Sequence, residues 1–300
     1  MKKILLLVCL LSGPFYSLLQ AQTPEVKGLN TINQQTAEAH IGFLADDLLE
    51  GREAGFKGGR LAGAYIVSCL KAMGVSPLQD SYYQPLEAYN RERQKRGRYQ
   101  VHPDSIAVLK QQTHQCLQLN NVLAKIEGKN PDEYVIVGAH YDHLGMDPAL
   151  AGDQIYNGAD DNASGVSAVL QIARAFLATG VKPERTVIFA FWDGEELGLL
   201  GSVYFAANCS FISSIRGYLN FDMIGRNNDE AQPKHVVYFY TESHPAFGEW
   251  LKSDIQQYGL NLEPDYRPWD RPIGGSDNAS FAKRDIPVIW YHTDGHPDYH

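Results

Sequence analysis

Acidic and imidazole side chains follow apolar stretches of this chain at several separate places. Carboxylates and imidazoles that follow a buried strand are typical of a metal site. The candidates are His140, Asp142, Asp160, Asp161, Glu195, Glu196, Asp222, His292, His296 and His300. Oxygen and imidazole ligands suit zinc and, less selectively, cobalt or manganese. Enough ligands are present for a two-metal site, which polarises a carbonyl group and activates a water molecule for hydrolysis.

Each motif also has an ordinary structural explanation when it is taken alone. The His140–Asp142 pair alone favours a hydrogen-bonded loop, and Asp160–Asp161 would serve equally well as helix caps. Glu195–Glu196 would form ion pairs at a helix start, or one would bind metal while the other acts as a general base. Asp222 lies in an apolar run, where only a buried salt bridge competes with metal binding. Their joint occurrence favours the metal site.

Short apolar runs rich in β-branched and aromatic residues predict strands from Asn121 onward. The predicted strands are 121–128, 134–140, 186–192, 218–225, 236–240 and 286–291, and the predicted helices are 164–177, 196–207 and 246–258. This alternation predicts an α/β fold with a mostly parallel central β-sheet flanked by helices. Sites in such sheets lie beyond the carboxyl ends of strands, where the candidate motifs occur. The sequence contains no G-x-G-x-x-G, Walker, H-E-x-x-H or G-x-S-x-G motif.

The first part of the chain has helical patterns over Ile32–Leu49 and Arg60–Met73, and Gly74 is placed to cap the second helix. Neither an internal repeat nor a low-complexity linker marks a domain boundary. We therefore predict one domain over residues 22–300. Its residues 22–120 form a helical N-terminal part and its residues 121–300 form the metal-site core.

Composition and the first residues restrict the class of protein. A formal net charge of −9 argues against a nucleic-acid partner. Residues 1–21 carry two lysines, an apolar run and a small-residue site, which predicts a signal peptide and export to the periplasm or the medium. No later stretch reaches membrane length, so no stable membrane span is expected. The basic segment 91–98 predicts a solvated turn between strands.

The ordered motifs GAHYDH, GADDNASG, WDGEELG, YLNFDMIG and GGSDNASF resemble those of the M28 zinc aminopeptidases, exported bacterial members especially. The resemblance extends from about Ile41 to the end of the chain. It implies a single-domain zinc-aminopeptidase-like α/β fold with two zinc ions per chain. The implied substrates are peptides with a free amino terminus.

The resemblance also implies a role for each matching residue. His140 and Asp222 correspond to ligands of one zinc ion, Glu196 and His300 to ligands of the other, and Asp161 to the bridging carboxylate. Two further residues have supporting roles. Glu195 corresponds to the general base and Asp142 to the partner that orients His140. The family often has a cis peptide bond after the bridging aspartate, here Asp161–Asn162.

Two features depart from the family pattern. Family members usually continue for some tens of residues after the last histidine, whereas His300 is the final residue here. The chain is therefore either a fragment or carries a ligand on its carboxy terminus, and His296 is a reserve candidate for that ligand. The family motif Ser-Asp-His is replaced by Ser276-Asp277-Asn278, a loop expected to line the substrate pocket.

These observations favour a metal-dependent aminopeptidase. Glutaminyl-peptide cyclotransferase with a single zinc ion remains an alternative, as does a carboxypeptidase of the same fold. A carboxypeptidase would need a cationic pocket, for which Arg226, Arg267 and Arg271 are candidates, although ordinary salt bridges are favoured. An alternative from another class is a non-catalytic binding protein with a degenerate site. The sequence does not predict the preferred amino-terminal residue or the oligomeric state.

Overall fold

The computed structural model describes residues 23–91, 99–227, 229, 231–270 and 274–300. Its strands are β1 (Ser76–Pro77), β2 (Tyr83–Arg91), β3 (His114–Ile126), β4 (Asn130–His140), β5 (Arg185–Trp192), β6 (Ile215–Phe221), β7 (His235–Tyr240), β8 (Glu263–Pro268) and β9 (Val288–His292). Its α-helices are α1 (Pro24–Leu29), α2 (Gln34–Leu44), α3 (Lys57–Met73), α4 (Pro103–Leu109), α5 (Gly165–Thr179), α6 (Leu200–Asn208), α7 (Pro245–Gln257) and α8 (Asn278–Ala282). The predicted signal peptide, nearly all of the basic segment and Arg271 lie outside the described residues.

The strands of the described part join in one sheet with the order β1-β3-β5-β4-β6-β9-β7-β8, and β2 also pairs with β3. The central strands β5, β4, β6 and β9 are parallel to one another. Antiparallel pairs flank this centre, with β3 beside β5 and β7 beside β9. The predicted α/β fold with a mostly parallel central sheet is therefore confirmed.

Residues of the central strands alternate between two apolar cores, one on each face of the sheet. In β5, Val187 and Phe189 pack in the core that includes residues of α2, α3 and α5, whereas Ile188 and Trp192 pack in the core that includes residues of α6 and α8. Successive strand side chains point to opposite faces, so a strand covered on both faces is apolar throughout. This double burial explains the unbroken apolar runs in the sequence.

The shared direction of the central strands brings distant segments to one edge of the sheet. His140 is the last residue of β4, and Asp222 comes directly after β6. The turn with Glu195 follows β5, and the segment that ends at His300 follows β9. The rule that placed the site beyond the carboxyl ends of parallel strands holds for this chain.

The N-terminal part is mainly helical as far as Met73, and α4 is the α-helix that the described residues add between Met73 and residue 120. The prediction of a helical part over 22–120 is wrong beyond that residue, because β2 and β3 form a long antiparallel pair there. Leu86 and Ala88 of β2 are buried and alternate with exposed residues, as expected for a strand with one covered face, and the strand is buried continuously from Ala88 to Asn90. Because β3 also pairs with β5, this part completes the same sheet. Gly74 ends α3 in the left-handed conformation, with φ 77°, as predicted.

Glu195 and Glu196 lie in a turn and not at the start of a helix. The helix predicted over 196–207 begins at Leu200. Gly194 opens the turn with φ 75°, a conformation that favours glycine. The turn leaves both glutamate side chains beside the carboxyl ends of the central strands.

Two further structural observations concern membrane crossing and disulfides. Across the described residues, no helix is both long and apolar enough to cross a membrane. Cys69, Cys116 and Cys209 are free thiols. None of these three cysteines is therefore paired with another.

Candidate metal centre

The first group of predicted ligands surrounds Nε2 of His140. This atom lies 3.1 Å from Oδ1 of Asp161 and 3.4 Å from Oδ1 of Asp222. All three residues are buried, and their ligand atoms lie within 4.8 Å of one another. The geometry therefore brings together the residues assigned by resemblance to one zinc ion.

The second group lies on the other oxygen of the same aspartate. Nε2 of His300 lies 3.0 Å from Oδ2 of Asp161 and 3.4 Å from Oε2 of Glu196. His300 and not His296 takes this position, so the primary candidate from the sequence is the residue in the group. Asp161 thus presents one oxygen atom to each group.

The donor atoms fit zinc at both positions. Atoms about 2.0–2.2 Å from a tetrahedral zinc ion lie about 3.3–3.6 Å from one another, close to the 3.0–3.4 Å spacings found here. Oδ1 of Asp161 is buried and accepts no hydrogen bond from any described residue, although Nε2 of His140 is 3.1 Å away. The two atoms therefore face a common space without bonding to each other, as expected of two ligands of one cation.

The electrostatics of the groups also suit a cation. Burial raises the pKa of Asp161, but the neighbouring imidazoles of His140 and His300 outweigh it and hold that pKa well below its usual range. Hydrogen bonds to Asp161 and Glu196 raise the pKa of His300 to about 9. Burial lowers the pKa of His140, but the carboxylates of Asp222 and Glu195 outweigh burial and raise this pKa well above its usual value. The carboxyl groups gathered in both ligand groups favour a cation at these positions.

Asp142 is buried behind the first group, where its carboxylate holds the glutamate turn. Its Oδ1 accepts a hydrogen bond from the main-chain N–H of Glu195 at 3.0 Å, and its Oδ2 accepts one from the N–H of Glu196 at 3.3 Å. Nδ1 of His140 lies 3.2 Å from the main-chain oxygen of Asp142 and 3.7 Å from its Oδ1. Asp142 therefore contacts His140 as expected, and it also positions two residues that the sequence did not connect with it.

Glu195 lies beside the first group. Burial, followed by the carboxylates of Asp277, Asp222 and Glu196, raises the pKa of Glu195 well above its usual value, although His140 opposes the shift. A carboxyl group with a raised pKa exchanges protons at a pH nearer neutrality. Glu195 therefore has the environment of a general acid or base.

The turn that carries Asp161 is fixed by its neighbour Asn162. Nδ2 of Asn162 donates to the main-chain oxygen of Phe221 at 2.9 Å, and its Oδ1 accepts from the N–H of Gly165 at 3.0 Å. The turn is thereby tied both to the end of β6 and to the start of α5. The Asp161–Asn162 peptide bond is cis, as the resemblance implies.

His143 is a buried member of the second group that the sequence analysis did not single out. Its Nδ1 lies 2.7 Å from Oε1 of Glu196 and 4.0 Å from Oδ2 of Asp161. Its ring centre lies 5.7 Å from that of His300. The signal for it was present, because His143 closes the motif GAHYDH, only three positions after His140.

Arg52 was also missed, because it lies in a glycine-rich segment between the two predicted helices Ile32–Leu49 and Arg60–Met73. Its side chain is fully buried beneath the site and donates to main-chain oxygens of the loops that carry the ligands. Burial lowers the pKa of Arg52 to about 10, and three site carboxylates oppose the fall. The guanidinium therefore remains charged at neutral pH.

The other terminal histidines have supporting positions. Nε2 of His296 lies 3.1 Å from Oδ2 of Asp160, and His296 belongs to neither ligand group. Nδ1 of His292 contacts the main-chain oxygen of Asp222 at 2.8 Å. Neither residue occupies the position of His300 among the ligands.

A cavity of about 500 Å³ opens beside the second group. Its lining includes His143, Asp161 and His300, together with Tyr156 and Tyr299. A peptide end placed in this cavity would lie next to the ligand atoms.

The expectation that residues 276–278 line the substrate pocket is wrong for this cavity. Ser276, Asp277 and Asn278 have no exposed surface. Nδ2 of Asn220 donates to Oγ of Ser276 at 2.8 Å, within a buried polar network that continues to Tyr218. The loop therefore supports β6 from within the core.

Comparison with known proteins gives one family. The model of peptidase family M28 matches residues 121–300. Leupeptin-inactivating enzyme 1 of Streptomyces exfoliatus is 34% identical over 170 residues, covering 56% of this chain and 34% of that protein. Probable leucine aminopeptidase 2 of Aspergillus oryzae is 33% identical over 175 residues, covering 56% of this chain and 32% of that protein. The chain therefore matches about one third of the length of these curated relatives.

Solved structures show the same fold at lower identity. A zinc aminopeptidase from Bacillus subtilis has a TM-score of 0.64 at 15% identity, covering 89% of this chain and 88% of that one. A glutaminyl cyclase from Porphyromonas gingivalis has a TM-score of 0.57 at 18% identity, covering 87% of this chain and 83% of that one. The fold is thus shared by two kinds of enzyme, and the fold alone does not choose between them.

Proposed function

The chain belongs to peptidase family M28, and we propose that it is an exported aminopeptidase with two zinc ions and Glu195 as general base. The proposal takes residues 22–300 as one peptidase domain. Export rests on the predicted signal peptide over residues 1–21. The names of the relatives, which include leucine aminopeptidase, support hydrolysis at the amino terminus of peptides.

The position of Asp161 is the observation that carries the proposal. Its two carboxylate oxygens lie 3.1 Å from His140 and 3.0 Å from His300, which belong to different ligand groups. A site for one metal ion would not need a second group of ligands beside the other carboxylate oxygen of Asp161. We therefore assign His140 and Asp222 to one zinc ion, Glu196 and His300 to the other, and Asp161 to both.

The chemistry follows from the groups beside these positions. Zinc ions bound there would polarise the scissile carbonyl and lower the pKa of a water molecule. Glu195 accepts the proton of the attacking water on a carboxylate oxygen and passes it to the nitrogen of the leaving amine. The acidic side chains around these positions, among them Glu196 with its lowered pKa, favour a substrate whose α-amine is positively charged. Asp142 keeps Glu195 and Glu196 in place through their main-chain N–H groups.

The test is hydrolysis of a panel of aminoacyl-anilides by the full chain, before chelation, after chelation and after zinc is restored. Chelation should abolish turnover and zinc should recover it. Glu195→Gln should bind the same amount of zinc and lose a factor of about 10²–10⁴ in turnover, the usual contribution of a general base. Near-normal turnover by Glu195→Gln, or turnover without zinc, would contradict the proposal.

Glutaminyl cyclisation is the second candidate, because the cyclase from Porphyromonas gingivalis has the same fold. The same preparation should be assayed for zinc content and for pyroglutamate formation from a peptide with amino-terminal glutamine. One zinc ion per chain together with pyroglutamate would favour the cyclase. The absence of both activities in the zinc-loaded chain would favour a non-catalytic binding protein.

A carboxypeptidase is less well supported. Arg226 pairs with Asp298, and Arg267 pairs with Asp265 and Asp294. These arginines form the ordinary salt bridges expected from the sequence, so their charge is already balanced. A substrate carboxylate would have to displace one of these acidic partners.

A further inference from the structure

Arg52 makes an unusual set of contacts for an arginine near acidic residues. Its Nε donates to the oxygen of Tyr141 at 2.9 Å. The remaining contacts run from Nη1 to the oxygens of Leu44 and Asn157, both at 2.6 Å, and from Nη2 to those of Gly158 at 2.9 Å and Asp161 at 3.4 Å. An arginine has five N–H donors, so the main chain satisfies the whole guanidinium. Among the described residues, no carboxylate oxygen lies within ion-pair distance of it.

Four of the five acceptors belong to the two loops that carry the ligands, and the fifth, the oxygen of Leu44, lies at the end of α2. Tyr141 lies between His140 and Asp142 in the loop after β4, and Asn157 and Gly158 precede Asp161 in the turn before α5. The sheet fixes where β4 ends, but it does not fix the distance from that end to the turn. One rigid planar group, bonded to both loops, sets this distance.

The main chain around Arg52 also forms hydrogen bonds with the loop after β4. The N–H of His143 donates to the oxygen of Arg52 at 3.1 Å, and the N–H of Gly145 donates to the oxygen of Gly51 at 3.0 Å. Gly51 has φ 66°, and a Cβ atom there would lie 2.2 Å from the oxygen of Gly145. This contact requires glycine, and Arg52 itself has a left-handed φ of 49°. The segment is built to hold the guanidinium at this point.

We propose that Arg52 is a positioning residue for both zinc positions, which fixes the loop with His140 and the turn with Asp161 at the spacing that two cations sharing Asp161 require. The inference rests on the proposed function, because it concerns the same ligands. The five hydrogen bonds of Arg52 all go to main-chain oxygens, and none goes to a ligand side chain. Arg52 acts through the main chain, and its charge balances the acidic cluster while the ligands are free.

The planar fork and not only the charge is required. A lysine at position 52 keeps the charge but has three donors at one point. The single ammonium group of a lysine cannot donate to the oxygens of both Tyr141 and Asn157, which separate nitrogens of the guanidinium reach. Groups that orient metal ligands without binding metal typically contribute about 10–100-fold to metal affinity. We expect Arg52→Lys to weaken zinc binding by about that factor.

The experiment is zinc titration of the full chain as wild type, Arg52→Lys and Leu70→Ala, with unfolding temperature recorded for each. Leu70 is fully buried in the core of α3 and provides a variant that loses stability away from the site. Arg52→Lys should need about 10–100 times more zinc and change the visible spectrum of the cobalt-loaded protein. Leu70→Ala should keep the zinc affinity and the visible spectrum of the wild type. Equal zinc affinity and spectrum in Arg52→Lys and wild type would overturn the proposal.

A second measurement uses the wild type alone, in case Arg52→Lys does not fold. Hydrogen exchange of the chelated protein should leave the N–H groups of His143 and Gly145 protected, because Arg52 and Gly51 hold them without metal. Rapid exchange at both would overturn the proposal. Failure of the proposed function gives a different pattern, since the wild type would then bind no zinc while these N–H groups stayed protected.

Discussion

Replacing Asp142 by asparagine tests whether this residue works by holding the glutamate turn. The carboxylate accepts one hydrogen bond from each of the N–H groups of Glu195 and Glu196, at 3.0 and 3.3 Å. An asparagine side chain has a single acceptor oxygen, and its NH₂ group cannot accept a hydrogen bond. One of the two N–H groups would therefore face a donor in a buried environment.

The expected loss of catalytic efficiency follows from the free energies of these two hydrogen bonds. A hydrogen bond to a charged acceptor contributes about 1.5–3 kcal/mol, and one to a neutral acceptor contributes about 0.5–1.5 kcal/mol. Losing one bond and weakening the other costs about 2–4 kcal/mol. If that free energy is needed to hold Glu195 in place, kcat/KM falls between about 30-fold and 1000-fold, since each 1.36 kcal/mol is tenfold.

The assay combines aminoacyl-anilide hydrolysis with zinc content in Asp142→Asn, Glu195→Gln and the double variant. If Asp142 acts through Glu195, its substitution should reduce kcat far less once Glu195 is already glutamine. Full additivity of the two losses, or near-normal kcat/KM in Asp142→Asn, would refute the reasoning. Asp193→Asn is the matched control. Asp193 is also buried, and its Oδ2 accepts a hydrogen bond from the N–H of Asn120 at 2.9 Å and not from Glu195 or Glu196.

The remaining predictions concern the second ligand group. His143→Gln should weaken zinc binding at the second ligand group by about 10–100-fold, because His143 lies 2.7 Å from Oε1 of Glu196. Zinc titration checks this prediction, and His296→Gln, outside both groups, should bind zinc normally. In chelated protein, the pKa of His300 is about 9 against an ordinary value of 6.5, so its stabilisation is complete below about pH 6.5 and is lost as the pH rises through about 9. The unfolding temperature of the chelated wild type should therefore fall over that range relative to His300→Gln, and parallel profiles would contradict the prediction.

The ligand groups were accessible from the sequence because topology constrains them. Once alternating strands and helices indicate a parallel sheet, the carboxyl ends of its strands must meet at one edge. His140, Asp222 and Glu196 each follow an apolar run, so their convergence needed no knowledge of side-chain positions. The choice between His296 and His300 was harder, because both follow β9. The resemblance favoured His300, and the structure places it next to Asp161.

Other features left no comparable signal. β2 was missed because the sequence Ala88-Tyr89-Asn90 does not alternate apolar and polar residues, and Pro85 weakens a strand prediction. The glutamate turn was predicted as a helix start because acidic residues are common there. Its N–H groups bond to Asp142, more than fifty positions earlier in the chain, and such a long-range acceptor cannot be identified from local sequence.

Arg52 supports the proposal that the chain before residue 121 belongs to the peptidase unit, although the family model matches only residues 121–300. A buried cation without a carboxylate at ion-pair distance is costly unless its hydrogen bonds are satisfied and nearby charges oppose it. Both conditions are met only where the loop of Tyr141 and the turn of Gly158 come together over the acidic cluster. In a separate N-terminal domain, Arg52 would lack the acceptors in the loop of Tyr141 and the turn of Gly158 that satisfy its buried guanidinium. Because β3 also pairs with β5, the first part of the chain contributes both a strand to the sheet and a support to the ligands.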